Sequence, residues 1–135
     1  MDHLSTEDVI AGLAPFGDLE PGAVRALAGI SHVRRYPHGT LILLEGDAKG
    51  PVYFVSRGAV RVFRANLEGR EQTLTYLHPG EALNLPGAFA QQWELPASAE
   101  AVGEVELVSM APSDLQRVVM AWPALALRLL AILSE

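Results

Sequence analysis

The chain has 135 residues, half of them apolar and 19% charged, with 16 acidic against 10 basic side chains and a net charge of −6. That length supports one well-buried core and not two, the composition lies far from the disordered regime, and the acidic surplus leaves no basic face to neutralise a nucleic-acid backbone. The absence of cysteine removes a disulfide framework, a thiolate metal site and a cysteine-held iron–sulfur cluster together.

Met1 to Asp8 is acidic and lacks the basic start and apolar centre of a secretory leader. Ser5-Thr6-Glu7-Asp8 reads instead as a helix start, with a hydroxyl to cap the first amides and acids at the positive end of the dipole. This helix is expected to run to about Leu13, where Pro15-Phe16-Gly17-Asp18 interrupts it. Glu20 to Ala28 restarts helical spacing through Val24, Leu27 and Ala28. From Ser31 the pattern changes to short β-rich runs punctuated by Gly, Pro, Asp and Asn. The runs are Val33 to Tyr36, Leu41 to Leu44, Val52 to Val55, Val60 to Arg64, Thr73 to Leu77, Glu100 to Val102 and Val105 to Met110. Turns are expected at Pro37-His38-Gly39, Glu45-Gly46-Asp47, Ser56-Arg57-Gly58 and Asn66 to Gly69. Charge alternates with apolar residues over Val60-Arg61-Val62-Phe63-Arg64, as in a strand with one wet face.

Pro112 and Pro123 each open a C-terminal helix, since proline is tolerated in a first turn. In the last one Leu125, Leu129, Ile132 and Leu133 recur at helical spacing with Leu127 and Leu130 beside them, so more than one face needs covering. Ala124 to Leu133 is only about half of the ~20 residues that a membrane-spanning helix takes. A cytoplasmic chain without membrane contact is therefore expected, organised as helices over about 1–30, a β-roll over 31–111 and helices over 112–135.

Several segments in order form a recognisable set. Phe16-Gly17-Asp18-Leu19 comes first, followed by Tyr36-Pro37-His38-Gly39-Thr40, then Leu44-Glu45-Gly46-Asp47. Val52-Tyr53-Phe54-Val55-Ser56-Arg57-Gly58-Ala59-Val60-Arg61-Val62 leads to Gly69-Arg70-Glu71-Gln72-Thr73-Leu74 and Tyr76-Leu77-His78-Pro79-Gly80-Glu81. This order resembles the cyclic-nucleotide-binding domain at the N-terminal end of Crp/Fnr transcription regulators. The resemblance implies a mainly β fold with flanking helices: an eight-stranded double-stranded β-helix, or jelly-roll-like barrel. It also implies a homodimer formed through the C-terminal helix, with Leu125, Leu129, Ile132 and Leu133 on the dimerisation face. DNA contact is expected only through an adjoining helix-turn-helix domain, which the 135 residues do not include.

In nucleotide-binding relatives a Gly-Glu pair and a later Arg-Ser or Arg-Thr hold the ribose and the cyclic phosphate, by carboxylate, guanidinium and backbone amides. Here the Gly-Glu positions read Asn84 and Leu85, and the stretch Leu95-Pro96-Ala97-Ser98-Ala99 supplies no arginine. A phosphate would lose charge-assisted hydrogen bonds worth about 1.5–3 kcal/mol each. Ordinary cyclic AMP binding is not expected. An apolar set, Leu83, Leu85, Pro86, Ala88, Phe89, Trp93 and Leu95, occupies the same place, with Asn84, Gln91 and Gln92 among it. Two readings stay open: a pocket rebuilt for an apolar or weakly polar effector, or side chains that fill the barrel and leave no cavity. The candidate ligand-binding residues are Leu83, Asn84, Leu85, Phe89, Ala97 and Ser98.

His3, His32, His38 and His78 form no metal-ligand cluster, and zinc chemistry needs about three convergent ligands. No metal site is assigned, and a haem axial role for His78 or His38 is weaker than a solvated turn histidine. No serine sits in a nucleophile elbow, and the glycines are too far apart for a phosphate-binding fingerprint. Glu104 and Glu106 share a strand face and read as a wet surface, as do Arg34, Arg35, Arg57, Arg61, Arg64 and Arg70. The expectation is a non-enzymatic, effector-sensing and dimerising domain of a Crp/Fnr-like regulator with no assigned cofactor and an unidentified small-molecule effector. The alternatives are a ligand-free structural dimerisation domain and, for contrast, a cupin-like metalloenzyme.

Overall fold

The computed structural model describes residues 4–135, so Met1, Asp2 and His3 lie outside the described residues. Helix α1 (Thr6–Gly12) begins on a reciprocal cap: the Asp8 amide donates to Ser5 Oγ at 3.1 Å and the Ser5 amide to Asp8 Oδ2 at 3.3 Å. These two bonds satisfy amides that a helix start otherwise leaves orphaned. A 3-10 turn at Ala14–Phe16 follows, then α2 (Pro21–Gly29).

Six antiparallel strands come next: β1 (Ser31–Tyr36), β2 (Leu41–Leu43), β3 (Val52–Ala65), β4 (Glu71–Leu77), β5 (Ala82–Leu83) and β6 (Ser98–Met110). The path runs β1-β6-β3-β4, with β2 paired to β6 and β5 to β3. Helices α3 (Pro112–Ala121) and α4 (Pro123–Leu133) close the chain.

The expected turn at Ser56-Arg57-Gly58 is not a reversal. β3 continues through it for 14 residues, and its pairing with β6 shifts register between Val55 and Arg57 and again between Arg57 and Ala59. A bulge takes up extra residues without ending the ladder. Gly58 makes it possible: its φ is +83°, and a Cβ there would stand 2.5 Å from the Glu104 carbonyl oxygen. The runs Glu100 to Val102 and Val105 to Met110 likewise merge into one strand that bends at Gly103 (φ +67°). Six continuous strands, two of them bent, thus take the place of the eight expected.

Alternation along β3 and β6 feeds two cores. Val52, Phe54, Val108 and Met110 pack with Ile10, Leu13, Phe16, Leu27, Leu115, Leu125 and Leu129 on the helical side. Tyr53, Val55, Val60, Val105 and Leu107 pack inside the roll with Leu43, Leu83, Leu95, Ala99 and Ala101. Phe16 meets Phe54 edge to face, ring centroids 5.2 Å apart.

On α4 the structure divides the residues assigned to a dimer face. Leu125 and Leu129 lie one turn apart on the stripe that enters this chain's own core and are 0% and 2% exposed, while Ile132 packs partly against the same cluster. Leu133 is exposed, as are the other large apolar side chains Leu127 and Leu130 on α4 and Met120 on α3. The inner stripe thus takes Leu125 and Leu129, which are unavailable to a partner, and no longer includes Leu133 one turn further on.

Candidate functional site

After β5 the chain turns at Asn84, whose φ is +65°, passes through a 3-10 turn at Pro86–Ala88 and returns to β6. The return is pinned along residues 46–49. Gly46 N donates to Leu95 O at 2.9 Å, Leu95 N to Asp47 O at 2.8 Å and Lys49 N to Trp93 O at 3.1 Å. Asn84 is the knot of the segment: its Nδ2 donates to the carbonyls of Gly50 (3.2 Å) and Pro51 (3.0 Å), and its Oδ1 accepts from Trp93 Nε1 at 2.8 Å. Gly87 leaves room for this, since a Cβ there would fall 2.6 Å from the Trp93 ring.

Between this segment and the roll lies an open cavity of about 280 Å3. Val62, Thr75 and Leu77 line it from β3 and β4, Ala82 and Leu83 from β5, and Leu43, Asn84, Pro86, Trp93, Leu95, Pro96 and Ala97 complete it. No charged side chain lies on that wall. On the β3 half that flanks it, Arg61 is held by Glu71 (2.5 Å) and Glu100 (2.7 Å) and stacks 4.2 Å from the centre of the Phe63 ring. The hydrogen bonds that Arg61 donates to Glu71 and then Glu100 raise its pKa above the usual value. Arg64 Nε donates to Pro96 O at 2.9 Å and Lys49 Nζ to Ala90 O at 3.1 Å. Burial, ahead of nearby charge, pushes the Tyr53 hydroxyl up inside the roll.

Of the residues singled out in the sequence, Leu83, Asn84 and Ala97 stand on the cavity wall. Leu85 does not: it is buried in the helix-side core. Phe89 is exposed and off the wall. Ser98 pairs with Phe63 and by alternation lies on the sheet face opposite to Ala99 and Ala101; its Oγ accepts the Glu45 amide at 2.8 Å. The missed wall residues are Val62, Thr75, Leu77 and Leu43. Alternation with Arg61 on the wet face puts Val62 inward, and the register shift between Val62 and Phe63 breaks that alternation before Arg64.

Arg35 pairs with Glu106 at 3.3 Å and Glu104 at 3.9 Å, and His38 Nδ1 accepts the Gly103 amide at 2.8 Å. No group of metal-ligating side chains occurs among the described residues.

Residues 33–121 match the cyclic nucleotide-binding domain family. The chain belongs to that family. This cyclic nucleotide-binding-type domain is 34% identical over 120 residues to the cyclic AMP receptor protein of Thermus thermophilus, covering 89% of the chain and 55% of that relative. The crystal structure of the Thermus thermophilus catabolite activator protein superposes with a TM-score of 0.77 at 34% identity, over 89% of this chain and 56% of that one. The N-terminal domain of a transcriptional regulator from Streptomyces coelicolor superposes at 0.75 and 26% identity, over 94% and 88%. The family and these relatives make the chain a cyclic nucleotide-binding domain of the kind found in Crp-type regulators, and it spans about half the length of the curated relatives it matches. No helix among the described residues is long and apolar enough to cross a membrane.

Proposed function

We propose that the chain is the effector-sensing and dimerising part of a Crp/Fnr-like transcription regulator, without enzymatic activity, acting in the cytoplasm and reaching DNA through an adjoining helix-turn-helix segment. The carrying observation is how the segment after β5 joins the two cores. Trp93, Leu95 and Ala97 stand against the cavity, while Leu85 and Ala88 insert among the helices. Gln116 on α3 donates from Nε2 to the Ala88 carbonyl at 2.5 Å. A ligand that favours one arrangement of this segment thereby biases α3 and α4, and its differential affinity sets the size of the effect. Leu127 and Leu130 are the α4 side chains offered to a second copy.

The cavity is not built for the usual cyclic nucleotide contacts. Leu85 faces away from it, the wall residues Leu95, Pro96 and Ala97 bring no guanidinium to it, and Ser98 and Asn84 are bonded to this chain's own backbone. The same saturation favours a second reading, a dimerisation domain that takes no ligand. Sedimentation equilibrium and thermal unfolding with and without cyclic AMP test the proposal. The expected result is a dimer whose melting temperature cyclic AMP leaves unchanged. A monomer at every concentration removes the dimerising role, and a cyclic AMP-dependent rise removes the reading of the pocket.

A further inference from the structure

The cavity also specifies the chemistry of what enters it, an inference that rests on the sensing reading above. Its wall is mainly carbon, from Val62, Leu77, Leu83, Trp93, Leu95 and Ala97. Two polar side chains of different standing interrupt it. Asn84 has its amide spent on Gly50, Pro51 and Trp93. Thr75 is exposed, and its hydroxyl makes only a long 3.4 Å contact to the Tyr76 carbonyl, so it can turn to a ligand without breaking a good hydrogen bond. Arg61, Arg64 and Lys49 are engaged with carboxylates or carbonyls, and a charge removed from water without a partner is strongly disfavoured.

We propose that this cavity takes a neutral, largely apolar small molecule carrying one hydrogen-bonding group, its carbon body against Trp93 and Leu95 and its polar group on the Thr75 hydroxyl. At about 280 Å3 the space falls just under the roughly 300–1,000 Å3 of typical small-molecule sites, which selects a compact compound.

Isothermal titration with 1-octanol and 2-naphthol, against octanoate, 2-naphthoate and cyclic AMP, tests this on the whole chain. At least one neutral probe binds one per chain, at least about tenfold tighter than its matching carboxylate because the wall offers no counter-ion. Thr75→Val weakens it about fivefold, the loss of one hydrogen bond. Ala97→Phe fills the cavity and abolishes binding with the circular dichroism spectrum unchanged; if that variant fails to fold, Thr75→Val at its exposed site carries the test. A carboxylate or cyclic AMP that binds as tightly as the neutral probe overturns the inference, and so does the absence of binding by both neutral probes. Sedimentation on the same samples separates the two claims. A dimer that binds neither neutral probe sinks the ligand assignment alone, and a monomer that binds one sinks the dimerising role alone.

Discussion

Trp93 and Asn84 are joined by an indole N–H that donates to Oδ1 at 2.8 Å, and the same asparagine ties its amide to two carbonyls at residues 50 and 51. One side chain in a left-handed backbone conformation therefore holds the segment that walls the cavity. Asn84→Ala is expected to lower stability by about 2 kcal/mol, from lost hydrogen bonds partly restored by water and from about 1 kcal/mol of backbone strain. Asn84→Gly should recover about 1 kcal/mol of this by removing the strain. Urea unfolding of the three proteins measures both values.

Gly58 and Gly103 bend the two long strands and differ in surroundings. An alanine Cβ at Gly58 would meet the Glu104 carbonyl at 2.5 Å, whereas at Gly103 nothing lies within 4 Å. Gly58→Ala should cost at least about 3 kcal/mol, strain plus displacement of backbone, and Gly103→Ala about 1 kcal/mol from strain alone. Equal losses in chemical denaturation would contradict the bulge described for β3.

The two sides of α4 respond to different measurements. Leu129→Ala opens a hole in the helix-side core and should cost about 2–5 kcal/mol. Leu127→Glu, at a residue 69% exposed, should change stability by no more than about 0.5 kcal/mol and abolish self-association in sedimentation velocity. A Leu127→Glu protein that still dimerises places the contact elsewhere.

Acid titration isolates one tie between α4 and the N-terminal turn. Arg128 contacts Asp18 at 2.6 Å and donates to the Pro15 carbonyl at 3.0 Å, and its hydrogen bond and charge hold Asp18 below the ordinary value of 3.8. A carboxyl lowered on folding stabilises the native state above its unfolded value, and that contribution is lost as pH falls through the lower, folded value. Asp18→Asn should melt below the parent at neutral pH, with the gap closing as pH drops under 3.8. Added salt should narrow the neutral-pH gap, because the aspartate is exposed.

The helix starts were legible because their signals are local: Ser5 with Asp8, and prolines at 112 and 123, act within a turn. Strand boundaries were less so. Ser56-Arg57-Gly58 has the composition of a reversal, and only pairing with β6 across some 50 residues of sequence makes it a bulge. Leu85 and Ser98 were attractive as ligand contacts from the positions of family motifs, yet strand parity and the 3-10 turn decide where side chains point. On α4 a run of leucines on several faces hides which stripe is inner, and Leu129 and Leu127 are told apart only by what α3, the Ala14–Phe16 turn and the rest of the helix-side core cover.

β3 and β6 pass through both cores, so that Tyr53 and Phe54, or Leu107 and Val108, serve different clusters from adjacent positions. Neither cluster can melt while those ladders stay paired, and the domain has no seam along which to come apart. The chain carries a natural optical marker at each end of this spine, Trp93 against the roll and Trp122 against the helices. With phenylalanine replacing one or the other, the two signals should fade at the same denaturant concentration, the mark of a single cooperative unit.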